Sequence, residues 1–185
     1  MWSNRFVCSL GVILLLAGCT VLVPPAPLSP PPSQIVHDSG DQLQITVLGQ
    51  ADLSGAYSID SDGLLTMPLI GVIDARGQTT QNLANAIETA LQLGFLRNPD
   101  VTIQVTQYRP IFVLGEVSSP GQFSYVAGLT VQQAVALAGG FTARANRNQI
   151  DIVRPTGFGA TIDLKLQLTD AVLPGDTLTI RQRLF

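Results

Sequence analysis

Residues 111–140 read IFVLGEVSSPGQFSYVAGLTVQQAVALAGG, and most of a small mixed domain is written in them. IFVLGEV is apolar enough for a strand, SSPGQ is a turn, and FSYV reads as the strand returning from it. In LTVQQAVALAGG the apolar spacing becomes helical, with Val131, Ala134, Val135 and Ala138 on one narrow face. Thr130 and Gln133 have the spacing of a capping box, in which each side chain satisfies the other's backbone N–H. Gly139, followed by Gly140, ends the helix. Downstream, QIDIVR, ATIDLKLQL and DTLTIRQ supply more strands. A hairpin, one helix and further strands predict an α+β module of β-grasp type over residues 108–185.

A second module is predicted upstream, over residues 35–107. SGDQLQITV places Leu43, Ile45 and Val47 on one face of a strand. YSIDSDGLLTMPL reads as two strands joined at Asp62-Gly63, a strong hairpin signal. TTQNLANAIETALQLG reads as a helix with Leu83, Ala84, Ile87, Ala90 and Leu91 as its apolar stripe. Thr79 or Thr80 can cap its start, and Gly94 fits its end. DVTIQV is another strand. The chain is thus expected to be α+β throughout, in two small modules. One phrase occurs in both: Gly40-Asp41 and Gly175-Asp176 each precede an alternating strand. This is read as a favoured turn, glycine supplying unusual backbone angles and aspartate accepting nearby amides, rather than as a tandem repeat.

The first 34 residues differ in kind. Phe6–Ala17 is an uncharged run behind Arg5, too short to span a bilayer and suited to a secretory leader. It ends in Leu16-Ala17-Gly18-Cys19, which resembles the bacterial lipobox. That likeness implies removal of residues 1–18 and acylation of Cys19. Thr20, where aspartate would resemble an inner-membrane retention signal, implies an outer-membrane anchor. Residues 19–34 form a tether holding six of the twelve prolines, expected to be extended because proline fixes φ and lacks an N–H.

Composition narrows the functional classes. Loss of Arg5 with the leader changes the formal charge of −3 by one unit, to −4, so nothing draws the chain to nucleic acid. Of two cysteines, Cys8 would leave with the leader and Cys19 would be acylated, so no thiol chemistry is expected. Asp60-Ser61-Asp62-Gly63 is read as a turn: a calcium loop needs Glu at position twelve, where Gly71 stands. His37, the single histidine, has no partner motif for a catalytic triad and is expected to pack near the first strand. Asp41, Asp52, Asp60, Asp62, Glu88 and Glu116 offer carboxylates for glycosidase chemistry, as any acidic domain does. No catalytic residue, metal or cofactor is expected.

The motifs in their order resemble the outer-membrane polysaccharide export lipoproteins. In the first module the resemblance rests on Gly40-Asp41-x-Leu43-x-Ile45, Tyr57-x-Ile59-Asp60-x-Asp62-Gly63, Met67-Pro68-Leu69-Ile70-Gly71, Gly77-x-Thr79, Leu83-Ala84 and Pro99-x-Val101. The second module resembles a soluble-ligand-binding β-grasp (SLBB) domain. There it rests on Val113-x-Gly115-Glu116-Val117-x-x-Pro120-Gly121-x-Phe123, Thr130-Val131, Ala138-Gly139-Gly140, Ala145, Arg154 and Pro174-Gly175-Asp176. Ile35 and His37 stand where an aromatic is common. The chain is expected to be a short form, since it stops at Arg183-Leu184-Phe185 without the amphipathic pore helix of long members.

The resemblance implies a non-catalytic, periplasm-facing lipoprotein of the outer membrane, within a conduit for capsular or extracellular polysaccharide. The implied partners are further copies in a ring-like homo-oligomer, an inner-membrane polysaccharide co-polymerase or export machinery, and polysaccharide in transit. Because the sequence has no spanning element, a separate outer-membrane pore of β-barrel type is expected as well. Arg144, Arg147, Arg154, Arg181 and Arg183 are candidates to face glycan or an acidic partner, with a solvated rim as the alternative. The alternative functions are a glycan-binding lipoprotein outside any conduit and an enzyme that trims the polymer.

Overall fold

The structure is a computed structural model that describes residues 34–156 and 161–183. The expected leader, Cys19 and the prolines of the tether lie outside the described residues, as do Ala160 and the last two positions.

The first part builds a three-stranded antiparallel sheet in the order β2-β1-β5, from β1 (Gln42–Val47), β2 (Gln50–Ser58) and β5 (Val101–Gln107). Leu43, Ile45 and Val47 of the central strand are buried, as their alternation requires. A separate hairpin pairs β3 (Leu64–Met67) with β4 (Gly71–Asp74). Helix α1 (Thr80–Gln92) starts where the Thr79 side chain accepts the Asn82 amide, and it buries Leu83, Ala84, Ile87 and Leu91. These groups form one hydrophobic core with Leu53, Leu65, Met67 and Ile103.

The second part is a five-stranded sheet in the order β7-β6-β10-β8-β9. Its strands are β6 (Ile111–Gly115), β7 (Gly121–Phe123), β8 (Ala145–Pro155), β9 (Thr161–Leu166) and β10 (Thr177–Gln182). The β6–β10 pair is parallel, so the last strand crosses to the sheet's interior beside the first, as a β-grasp requires. Helix α2 (Val131–Leu137) has both halves of the Thr130/Gln133 capping box and ends at Ala138, before Gly139 and Gly140. It buries Val131, Ala134 and Val135 in a second core with Ile111, Val113, Ile150, Ile152, Leu178 and Ile180.

Two expectations need correction. Asp62-Gly63 does form a tight turn, where Asp60 Oδ1 accepts the amides of Asp62 and Leu64. It does not join a hairpin, because β2 pairs with β1 and β3 pairs with β4. The Gly63 carbonyl is taken by the Ala75 and Arg76 amides, which ties the start of β3 to the end of β4. The returning strand is also displaced from FSYV: β7 takes Gly121 and Gln122 from the expected turn and ends at Phe123. Beyond it the chain turns inward, Tyr125 entering the core edge-on to Tyr108 with ring centroids 5.3 Å apart.

Candidate functional site

The repeated Gly-Asp phrase makes the same turn twice. Asp41 N–H donates to the Asp38 carbonyl and Asp176 N–H to the Leu173 carbonyl, each at 3.2 Å. In return, Asp38 N–H and Leu173 N–H donate to the carboxylates of Asp41 and Asp176. Gly40 and Gly175 hold φ of +91° and +84°, the region a type II turn demands at its third position. Both carboxylates are fully buried. A buried carboxylate needs a cation and further donors, and each has an arginine. Asp176 is gripped by Arg154 through Nε at 2.8 Å and Nη2 at 2.7 Å. Asp41 receives the backbone N–H of Arg109 at 3.0 Å and its Nη1 at 3.1 Å.

Arg109 also joins the two turns. Its Nε donates to the Pro174 carbonyl at 3.1 Å, while Gly175 N–H donates to the Pro110 carbonyl. A Cβ at Gly175 would lie 2.9 Å from Arg109 Nε, so the glycine is required for this approach as well as for its φ. The sequence reading found the turns and missed Arg109. The available signal was physical: two turn aspartates followed at once by strands would be buried, and each would need a cation.

His37 lies beside this joint and is buried. Its Nε2 is 3.2 Å from Thr80 Oγ1 and its Nδ1 is 3.6 Å from Asp41 Oδ2. Burial raises the Tyr108 hydroxyl above the usual tyrosine range, and the Asp41 charge adds to this. Tyr125 is raised chiefly by burial, with the Gly128 backbone hydrogen bond opposing. Burial alone raises Tyr57, whose hydroxyl donates to the Leu53 carbonyl.

The five C-terminal arginines do not act as one group. Arg154 is held by Asp176 and largely withdrawn from the surface. Arg144 pairs with Glu116 at 3.4 Å, and Arg181 pairs with Asp151. Arg147 stacks over Phe141, 5.7 Å from the ring centroid. Arg147 and Arg183 meet at one depression of ≈ 360 Å³, lined also by Ala143, Ala145, Asn146 and Asn148. An apolar groove of ≈ 510 Å³ runs between Val126 and Leu137 at the end of α2.

Gly115, the last residue of β6, is structural in its contacts. Gly115 holds φ of +88°, and a Cβ there would come within 2.1 Å of the Ile180 carbonyl oxygen. That oxygen accepts the Glu116 amide across the parallel pair. Gly63, Gly139 and Gly140 also have positive φ, whereas Gly121, next to Pro120, sits in β7 with open space where a Cβ would stand.

Several carboxylates that sequence offers for acid–base work already have partners. Asp41 is held by Arg109, Glu88 accepts the Val101 amide, Asp60 holds its turn, and Glu116 takes Thr142 Oγ1 and Arg144. Among the described residues no helix is long and apolar enough to cross a membrane.

Comparison with known proteins follows the division into two cores. Residues 29–106 match the polysaccharide biosynthesis/export protein family, and residues 110–162 match the SLBB domain. The chain is 37% identical over 99 residues to the exopolysaccharide production protein ExoF of Rhizobium meliloti, covering 52% of this chain and 23% of that one. It is 26% identical over 158 residues to the EPS I polysaccharide export outer membrane protein EpsA of Ralstonia nicotianae, covering 80% of this chain and 41% of that one. It is 24% identical over 124 residues to the polysialic acid transport protein KpsD of Escherichia coli, covering 66% of this chain and 22% of that one. The matched region thus spans well under half the length of each of these relatives. With an export domain and one SLBB domain in that order, each on its own hydrophobic core, the chain belongs to the outer-membrane polysaccharide export family.

Proposed function

We propose that the chain takes part in exporting a capsular or extracellular polysaccharide, as a non-catalytic component of the outer-membrane end of the conduit. The observation that carries this reading is the succession of an export domain and an SLBB domain in one chain that is similar to proteins named for polysaccharide export and transport. Residues 35–107 form the module directed to the inner-membrane co-polymerase or export machinery, and residues 108–185 the module that packs between copies in a ring. Acylation of Cys19 anchors the chain to the outer membrane, its modules in the periplasm, where several acyl chains hold a protein firmly without a spanning segment. A separate β-barrel partner supplies the pore. The partnered carboxylates and the buried joint support a passive, structural role for these modules.

The test is a clean deletion in the native host, with polysaccharide quantified outside the cell and in the periplasm. Loss outside, restored by the wild-type gene and not by a Cys19→Ala copy, is the expected result. Unchanged surface polysaccharide, with no related gene to compensate, overturns the reading. Full restoration by the Cys19→Ala copy removes the anchor from it.

A further inference from the structure

The five arginines between residues 144 and 183 divide by what they face. Three have carboxylate partners: Arg144 with Glu116, Arg154 with Asp176, and Arg181 with Asp151. Among the described residues, Arg147 and Arg183 form no ion pair, and both are exposed. They line one depression, and among the described residues no carboxylate lines it with them. In an acidic chain, two unmatched guanidinium groups at one hollow make a local positive field.

The hollow is organised for more than charge. Arg147 lies over Phe141, which limits its guanidinium to few orientations and leaves the N–H edge free to donate. Asn146 Oδ1 accepts the Asn148 backbone amide, so the Asn146 side-chain amide is fixed with its N–H₂ group unused by that bond. The Arg183 backbone amide donates to the Arg144 carbonyl at 2.7 Å, which sets the end of β10 against the start of β8. Arg147 and Asn148 also wall a second depression of ≈ 380 Å³, completed by Gln167, Leu168 and Thr169. The nearest carboxylate in the chain there, Asp170, accepts the Gln167 amide. Two adjoining polar hollows with a shared arginine wall suit successive units of a linear polar ligand. Hydroxyl groups would meet the amides, and an acidic substituent the guanidinium edges.

We propose that Arg147 and Arg183, with Asn146 and Asn148, form a weak and exchangeable site for the carboxylate groups of an acidic saccharide. The inference deepens the export reading by naming the chemical class of polymer that this edge would contact, and it rests on that reading for the ligand's presence. Exposed arginines bind carboxylates modestly and are screened by salt, which suits a polymer that must pass.

The test titrates the full-length chain, in detergent micelles, with hexagalacturonate and with neutral maltohexaose, followed by amide NMR. The expected result is a salt-sensitive shift of the Arg147, Asn148, Gln167 and Arg183 amides with hexagalacturonate and none with maltohexaose. Affinity should fall at least tenfold in R147Q/R183Q and change less than twofold in K165Q. The single variants R147Q and R183Q, each expected to weaken binding threefold or more, decide the matter if the double variant loses its native spectrum. No shift, equal response to both sugars, shifts confined to other residues, or unchanged affinity in natively folded variants overturns the proposal. Export in the deletion strain is scored separately. Loss of export there without galacturonate binding overturns this site and leaves the export reading standing.

Discussion

Arg109 gives both its backbone amide and its guanidinium to the buried carboxylate of Asp41, 68 positions earlier in the chain. The same side chain reaches the Pro174 carbonyl, 65 positions later. The two hydrophobic cores share no residue, so this arginine is a polar link between parts that pack separately. Removing one partner of a buried pair leaves the other charge uncompensated, at about 3–5 kcal/mol. Arg109→Ala is expected to lower stability by that order, and Arg109→Lys by less, since it keeps the charge and loses the fork. Urea denaturation checks it. A loss below about 0.5 kcal/mol in Arg109→Ala, the scale of an ordinary surface change, would show that the pair does not join the modules.

Arg154 and Arg147 look alike in sequence and should behave oppositely. Arg154 closes a bidentate pair on a carboxylate with no solvent exposure, so Arg154→Ala is expected to cost about 3–5 kcal/mol. Arg147 is exposed and among the described residues its side chain makes only a ring contact, so Arg147→Ala should stay within about 1 kcal/mol. Thermal unfolding of the two variants side by side gives the comparison. Equal losses would contradict the division of the arginines into structural and free.

The contrast marks where sequence reading stops. Both helices were legible because their signals are local: Thr79 and Thr130 cap, Leu83 to Leu91 keep helical spacing, and Gly139 ends α2. The alternation of Leu43, Ile45 and Val47 fixed which face of β1 is buried. Pairing is not local. Nothing near Asp62-Gly63 says that β3 will prefer β4, because the amides that meet the Gly63 carbonyl stand at positions 75 and 76. Nor does the sequence around Arg154 distinguish it from Arg147, since its partner lies 22 residues away. The two Gly-Asp turns were seen as turns, but their burial, and hence their need for arginines, depends on the strands that close over them.

Gly115 and Gly121 offer a second internal comparison. A methyl group at Gly115 would press on the Ile180 carbonyl at 2.1 Å and would also hold a positive φ. Strain and overpacking each cost about 1–3 kcal/mol, so Gly115→Ala is expected to lose about 2–6 kcal/mol. Gly121 has neither constraint, and alanine there should change stability by less than about 1 kcal/mol. Denaturant midpoints measure both. A tolerant Gly115 would mean that the β6–β10 pair is looser than the geometry requires.

The capping box sets the start of α2, a helix of only seven residues. Such a short helix gains little from its own hydrogen bonds, so its cap and its buried face hold it. Thr130→Ala removes the acceptor of the Gln133 amide and is expected to cost about 1 kcal/mol, and Thr130→Ser much less. A lowered unfolding temperature for alanine with recovery in serine confirms a capping role. Equal loss in both would assign the effect to the threonine methyl group instead.

Stability should fall on the alkaline side, and the tyrosines give the sign. Burial raises Tyr108, Tyr125 and Tyr57, because the folded chain disfavours the phenolate. A group whose folded pKa exceeds its unfolded value contributes fully below the unfolded value, near 10 for tyrosine. That contribution is lost as pH rises from there through the folded pKa, since the unfolded chain releases its protons first. The denaturation midpoint is therefore expected to fall progressively above about pH 10. Asp41 adds to the effect at Tyr108, so Tyr108→Phe should shrink the alkaline decline while keeping the edge-on ring contact with Tyr125. An alkaline decline as steep in Tyr108→Phe as in the parent would assign it to other groups and remove Tyr108 from the account.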